Sequence, residues 1–334
     1  MRLSELGEFG LIRRFAPHFE KGVAPGTVGI GDDCAVIPQG DERLLVTTDL
    51  LVEDVHFLRR GIRARDLGYK SLAVNLSDIA AMGAVPESAF LSLALPKDTD
   101  VAWIDAFFEG IAELAETSGT ALLGGDTTGS RQGVIINIAV MGRARPEHIK
   151  LRGDARPGDI ICLTGPTGES GAGLKVLLEN RPAGELESRL IEAHNRPRPH
   201  LEEGLFLGGQ HAVHAMMDVS DGVDSDLRHI LRASNVGASV NLEQVPISKM
   251  LAKASEQLGF HALELALAAG EDYCLLATID AQAFSEIDAA FAQQFGHGLA
   301  AIGRITEKAN DFHYLRDGKS VSLADHGFDH FAKS

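Results

Sequence analysis

A two-domain chain of mixed α/β and α+β type is what the sequence predicts, on three observations. At 334 residues, 45% of them hydrophobic, the chain exceeds one typical core and can fill two. Short β-prone runs alternate with amphipathic helical stretches along its length. Between Arg145 and Gly158, charge, Pro and Gly replace the apolar pattern, so the expected domains are 1–145 and 146–334.

The elements follow in order. Leu6, Phe9, Leu11, Ile12 and Phe15 recur at helical spacing, which predicts a helix from Ser4, its N-cap, to about Phe19. Residues 21–31 are loop. Residues 44–52, from Leu44 to Val52, form a near-continuous β-prone run that suits a strand buried on both faces, with Asp49 inside it. The clearest helix runs from Arg65 to about Met82 and stops at Gly83. Leu72, Leu76, Ile79 and Met82 make its apolar stripe, and Ser71, Asn75 and Asp78 make a polar stripe expected to face a site. Lys70 on the same helix reads as a solvated residue or a helix ion-pair partner. Strands over 88–95, 120–125 and 134–142 and a helix over 100–118 complete the first domain.

The second domain opens with a strand at 159–164 and a Gly-rich turn, 165–173, leading to a helix from about Leu174. That turn either cradles an anion on its N–H groups or serves as a domain-entry turn. Polar helical segments reach Gly209, followed by strands at 214–219, 238–242, 273–279, 299–305 and 312–315. Helices are expected at 223–234, 249–257, 263–269 and 281–295.

Composition excludes several functions. With 31 Lys and Arg against 47 Asp and Glu, the net charge of −16 repels nucleic acid and anionic membranes. No apolar run has the length of a membrane span or a signal-peptide core. Cys34, Cys162 and Cys274 are dispersed, which fits reduced thiols in a cytoplasmic protein better than disulfides or zinc. A P-loop, a strand-linked G-x-G-x-x-G, a G-x-S-x-G elbow, an H-E-x-x-H motif and an EF-hand loop are all lacking.

The positive signal is a set of acidic turns beside apolar runs: Gly29-Ile30-Gly31-Asp32-Asp33, Thr47-Thr48-Asp49, Gly124-Gly125-Asp126-Thr127, Asp218-Val219-Ser220-Asp221-Gly222 and Gly270-Glu271-Asp272. A single Asp after Gly is commonly a turn residue, binding nearby backbone amides. Five such turns, with Thr and Ser among them, offer hard oxygen ligands suited to Mg²⁺ or Mn²⁺ and, through them, to a polyphosphate. Asp32, Asp49, Asp78, Asp126 and Asp218 are expected to converge from both domains on one pocket, with Asp33 serving the turn.

These turns, with His56-Phe57, the block from Tyr69 to Ala84 and Met141-Gly142-Arg143-Ala144, resemble the thiamine-monophosphate kinase family, from about Gly7 to Phe331. The resemblance implies the PurM-like fold of the aminoimidazole-ribonucleotide-synthetase-like superfamily. In that fold the N-terminal sheet builds a dimer barrel and the C-terminal domain is α+β. It implies transfer of the γ-phosphoryl group of ATP to thiamine monophosphate, with several Mg²⁺ ions, in a homodimer. Metal ligands by motif are Asp32, Thr47, Thr48, Asp49, Asp78, Asp126, Asp218 and Asp221, of which Asp49, Asp78 and Asp126 act catalytically through metal. Gly125, Asp126, Arg143 and Ser220 correspond to ATP contacts, and His56, Glu271 and Phe328 to substrate contacts. The alternatives are another ATP-dependent enzyme of the superfamily, of the cyclo-ligase, selenophosphate synthetase or hydrogenase-maturation type, and a non-catalytic divalent-metal-binding dimerisation module. The latter two enzymes use a reactive cysteine near the N-terminus or at the C-terminus, whereas Cys34 lies inside an acidic turn and the chain ends in Phe331-Ala332-Lys333-Ser334.

Overall fold

The computed structural model describes residues 7–182, 184–309 and 311–321. Five strands, β1 (Ala35–Gln39), β2 (Glu42–Val52), β3 (Val85–Pro96), β4 (Ala121–Ser130) and β5 (Ile135–Ala144), form one sheet in the order β1-β2-β5-β3-β4. All neighbours are antiparallel except β3 and β4. The helices Ala64–Ala81 and Val101–Ser118 cover one face of this sheet and leave the other open. Strand β2 is therefore buried on one face only: Leu45, Thr47 and Leu51 point inward, whereas Thr48 and Leu50 are exposed. The both-faces expectation fails because apolar content alone does not say what covers the second face.

The helix 64–81 is buried nearly all round. Gly68 and Gly110 let it cross helix 101–118 at backbone contact. A Cβ on Gly68 would lie 1.9 Å from the Phe107 carbonyl oxygen, and one on Gly110 would lie 1.8 Å from that of Arg65. Its C-terminal end meets the second half of the chain, where Ala80 and Ala81 join Leu207, Met216 and Phe291 in one apolar cluster.

That half holds a seven-stranded sheet in the order β12-β11-β8-β10-β6-β9-β7. Its strands are β6 (Ile160–Leu163), β7 (Val213–Asp218), β8 (Gly237–Asn241), β9 (Leu275–Ile279), β10 (Ala300–Thr306), β11 (Phe312–Arg316) and β12 (Lys319–Val321). Helices 169–178, 185–195, 223–234, 249–258 and 262–268 fill one side, through Val176, Leu190, Leu227, Leu251 and Ala266. Helices 201–208 and 284–295 fill the other with the tip of helix 64–81. Among the described residues no helix is long and apolar enough to cross a membrane.

Three boundaries differ from expectation. The first helix spans Glu8–Phe15 and gives way to a 3-10 turn containing Pro17, while Ser4 lies outside the described residues. Strand β4 continues to Ser130, so Gly124-Gly125-Asp126 sits inside a strand rather than at its end. The helix expected near Leu174 begins at Glu169. Its glycines meet neighbours directly: a Cβ on Gly171 would lie 2.2 Å from that of Ala269, and one on Gly173 would lie 2.1 Å from the Leu190 carbonyl oxygen.

Candidate metal and phosphate site

Four segments bring carboxylates to one place between the two sheets. Asp33 comes from the Gly-rich turn, Asp78 from the end of helix 64–81 and Asp218 from the last residue of β7; their carboxylate oxygens lie within 4.8 Å of one another. Thr47 on β2 donates its hydroxyl hydrogen to Asp78 Oδ2. Ser77, one residue before Asp78 and fully buried, donates to Asp218 Oδ2 at 2.6 Å. Asp49 is anchored from the helix: its amide donates to Asn75 Oδ1 at 3.0 Å, and Asn75 Nδ2 donates to the Ser71 carbonyl at 3.1 Å. Only the Asp78 end of the polar stripe faces the site directly, because the Ser71 hydroxyl turns back to the Leu67 carbonyl at 2.7 Å.

One cation lies among these acids. Arg152 forks onto Asp33, with Nη2 2.5 Å from Oδ1 and Nε 3.2 Å from Oδ2, and its amide donates to Asp32 Oδ2 at 3.1 Å. Burial opposes the Arg152 charge, but Asp33, Asp32 and Asp218 outweigh it and raise its pKa. The acids remain under-compensated. Burial, then the charge of Asp33, pushes Asp32 up to about 7. Burial with Asp221 and Asp33 raises Asp49 to about 6, and burial with Asp33 raises Asp218 to about 8. Asp78 is lifted well above the carboxylate range by burial and by Asp49, Asp218 and Asp33. Clustered carboxylates and an adjacent hydroxyl are the oxygen donor set of hard divalent cations, so the residues present fit magnesium.

A second acidic group adjoins the first. Asp221, Asp226 and His229 offer ligand atoms within 4.8 Å of one another, and the Asp221 amide donates to Asp226 Oδ2 at 3.1 Å. The segment 218–222 is stitched to 270–273 by the Glu271 amide on the Ser220 carbonyl at 2.8 Å and the Tyr273 amide on that of Val219 at 2.9 Å. Glu271 and Tyr273 both adopt left-handed backbone, with φ of 63° and 54°. Between them Asp272 turns inward and accepts the amides of Gly168 at 2.6 Å and Ser170 at 3.3 Å. The N-terminus of helix 169–178 is thus occupied by the chain's own carboxylate, which resolves the 165–173 turn in favour of a structural role. His56 follows β2, and its Nδ1 accepts the Val52 amide at 3.0 Å, leaving Nε2 to carry the proton of the neutral ring.

Several expected members lie elsewhere. Thr48 alternates with Thr47 and Asp49, so its side chain is on the open face of the sheet, where its hydroxyl accepts Asn137 Nδ2 at 2.8 Å. Asp126 is exposed on edge strand β4, separated from β2 by β5 and β3, and does not join the cluster within one chain. Gly125 beside it serves close strand pairing: a Cβ there would lie 1.7 Å from the Leu91 carbonyl oxygen. Arg143 is half-exposed and ion-paired, 3.2 Å from Glu42 and 2.6 Å from Glu87. Opposite Leu44 on β2, it stands five residues, about 17 Å, along the strand from the level of Asp49. Phe328 lies outside the described residues.

The sequence reading missed Asp33, Ser77, Arg152 and the true place of Lys70. Asp33 was assigned to the turn, yet it is Asp33, more than Asp32, that meets Asp78 and Asp218. Lys70 is 1% exposed and ion-paired to Glu271 across the two halves, so it is neither solvated nor a partner within its helix. Its position one residue before Ser71, where the polar stripe of the helix begins, is the available signal.

Comparison with known proteins places the sequence and the fold. Residues 31–144 match the N-terminal domain of AIR synthase related proteins and residues 156–316 match the C-terminal domain. Escherichia coli (strain K12) thiamine-monophosphate kinase is 38% identical over 330 residues, covering 98% of each chain. The Aquifex aeolicus enzyme is 35% identical over 332 residues, covering 99% of this chain and 100% of its own. The solved structure "AaThiL complexed with AMPPCP and TMP" superposes with a TM-score of 0.86 at 34% identity, covering 99% of both chains. On fold and sequence the chain belongs to the thiamine-monophosphate kinase family.

Proposed function

We propose that this protein transfers the γ-phosphoryl group of ATP to thiamine monophosphate, giving thiamine diphosphate and ADP, the last step of thiamine diphosphate biosynthesis. The observation that carries this reading is the buried group Asp33, Asp78 and Asp218, drawn from both halves of the chain. The complex of the family member with AMPPCP and TMP supports it. Both substrates are anions, so an acidic protein needs cations to bring them together. Asp32, Asp33, Asp49, Asp78 and Asp218, with the Thr47 hydroxyl and neighbouring Asp221, would hold several magnesium ions. When bound, these supply the positive charge that offsets both phosphates and favours in-line displacement. The acceptor phosphate oxygen is already ionised near pH 7, so no residue has to remove a proton from it. Ser220 with Gly125, Asp126, Arg143 and Thr48 is assigned to the nucleotide and its metals, and His56 and Glu271 to thiamine monophosphate.

A homodimer belongs to the same proposal. Leu50, Phe90, Leu123 and Ile135 of the first sheet are exposed by 37% to 64%, an apolar surface of the kind a second copy covers. The three free cysteines are all buried, which suits a reducing compartment, and we assign the protein to the cytoplasm.

The test is ADP release from Mg-ATP with and without thiamine monophosphate. Stimulation by that compound, with thiamine diphosphate as product, is the expected result. A rate indifferent to it would sink the kinase reading, and tight magnesium binding with no ATP turnover would favour a non-catalytic module.

A further inference from the structure

Lys70 has its side chain 1% exposed in the middle of the molecule. Nζ lies 3.1 Å from Glu271 Oε2 and 3.0 Å from the His194 carbonyl oxygen, both in the other half of the chain. Burying an ammonium costs several kcal/mol unless it is paired, and a methionine would fill the same volume without that cost. Stability alone therefore gives no reason for a lysine here.

The partner is as unusual as the lysine. Glu271 is one of two left-handed residues of the 270–273 segment, fixed by its own amide on Ser220 and by the Asp272 carboxylate next to it. Strain of this kind persists where the surroundings over-determine it, typically at ligand clamps. The Glu271 side chain is 26% exposed. Its Oε2 faces Lys70 and, at 3.3 Å, His194 Nδ1, whereas Oε1 has no hydrogen-bond partner among the described residues. His194 is held neutral, its pKa lowered to about 4 by burial and by Lys70. Lys70 is therefore the cation that fixes the carboxylate.

We propose that Lys70 is a positioning residue for the acceptor substrate: it anchors the Glu271 side chain through Oε2, so that Oε1 receives the cationic or N–H-donating part of thiamine monophosphate. This rests on the assignment of Glu271 to that substrate. A carboxylate repels the phosphate end and attracts the thiazolium and aminopyrimidine end, so the pair also sets which way round the substrate lies. Because Lys70 and Asp78 share one helix, the orientation of the acceptor and the phosphate-binding cluster are built on a single rigid element.

The test uses the full chain with Lys70→Met, Glu271→Gln and the double variant, with thiamine monophosphate binding measured by calorimetry in the presence of Mg²⁺ and without ATP. Lys70→Met is expected to weaken binding about tenfold or more and to raise the KM for thiamine monophosphate but not for ATP. The double variant is expected to bind no more weakly than Glu271→Gln alone, because Lys70 acts through that carboxylate. Unchanged affinity in Lys70→Met, or effects that simply add, overturn the proposal. Should Lys70→Met fail to fold, Glu271→Gln decides in the same titration, where unchanged affinity again overturns it. If the wild-type protein does not bind thiamine monophosphate at all, the kinase reading fails first, a result distinct from a Lys70→Met variant that binds as tightly as wild type.

Discussion

At the residue scale, the defining feature is a group of acids held closer together than their charges favour. Asp49 titrates near 6, Asp32 near 7 and Asp218 near 8, all above the ordinary carboxylate value that the unfolded chain shows. Between those values the folded protein keeps protons that the unfolded chain has released. The stability they contribute is complete below about pH 4 and is lost as pH rises through 6 to 8. Metal-free protein is accordingly expected to melt at progressively lower temperature from pH 6 to pH 8. Saturating Mg²⁺ should reverse the trend, since it competes with the same protons. Asp78→Asn takes one proton-retaining carboxyl out of the group, so it should flatten the metal-free slope and reduce kcat about 100-fold or more. Melting curves across that window decide it: a metal-free melting temperature that climbs with pH contradicts the reading. The types of these acids were legible in the sequence; their partners were not. Asp33 and Asp32 are neighbours in a turn, and only the fold decides that Asp33 meets Asp78 and Asp218 while also taking the Arg152 fork. Arg152 lies in the Pro- and Gly-rich boundary segment, where no periodicity gives a side chain a direction.

At the element scale, helix 64–81 carries the site. Asn75, Ser77 and Asp78 on its last turns order Asp49, Asp218 and Thr47, and Lys70 on its second turn orders Glu271. Its position depends on the crossing with helix 101–118, where Gly68 and Gly110 pack against opposing backbone. Gly110→Ala places a methyl group inside that contact and must push the helices apart. A loss of about 1–3 kcal/mol is expected in denaturant titration, together with weaker Mg²⁺ binding than wild type, because Asp78 moves with the helix. Loss of stability with undiminished Mg²⁺ affinity would show that the crossing supports the fold but not the site. This helix was the most legible element of the sequence, with ends within a residue of those observed. Strand β4 was the least legible, since Gly124 and Gly125 read as a terminus yet pair with β3 along Phe90 and Leu91. Glycine in a strand marks close approach as readily as an end, and only the partner strand distinguishes the two.

At the scale of the whole molecule, one surface is left to explain. The first sheet is covered on one side and open on the other, and its open side and edge carry Leu50, Phe90 and Leu123 together with Thr48, Asp126 and Arg143. Sequence patterning reads β2 as a near-continuous β-prone run, but it cannot distinguish a face buried by the same chain from one available to another. An exposed sheet of this composition with an unpaired edge strand invites association. A closed two-fold dimer is the commonest solution, because it buries the same patch on both copies. Wild-type protein should therefore sediment at twice the chain mass. Leu50→Glu, alone or with Phe90→Glu, should shift it to the monomer, since the single change brings two carboxylates, and the pair four, into the buried centre of a symmetric interface. Neither residue contributes to the buried core of the single chain, so circular dichroism should remain that of a folded protein. The residues assigned to nucleotide on that face supply a second readout: affinity for an ATP analogue should fall with dissociation. A wild-type protein that sediments as a monomer, or a charged variant that stays dimeric, would remove the open sheet as the interface and leave its apolar surface to another partner.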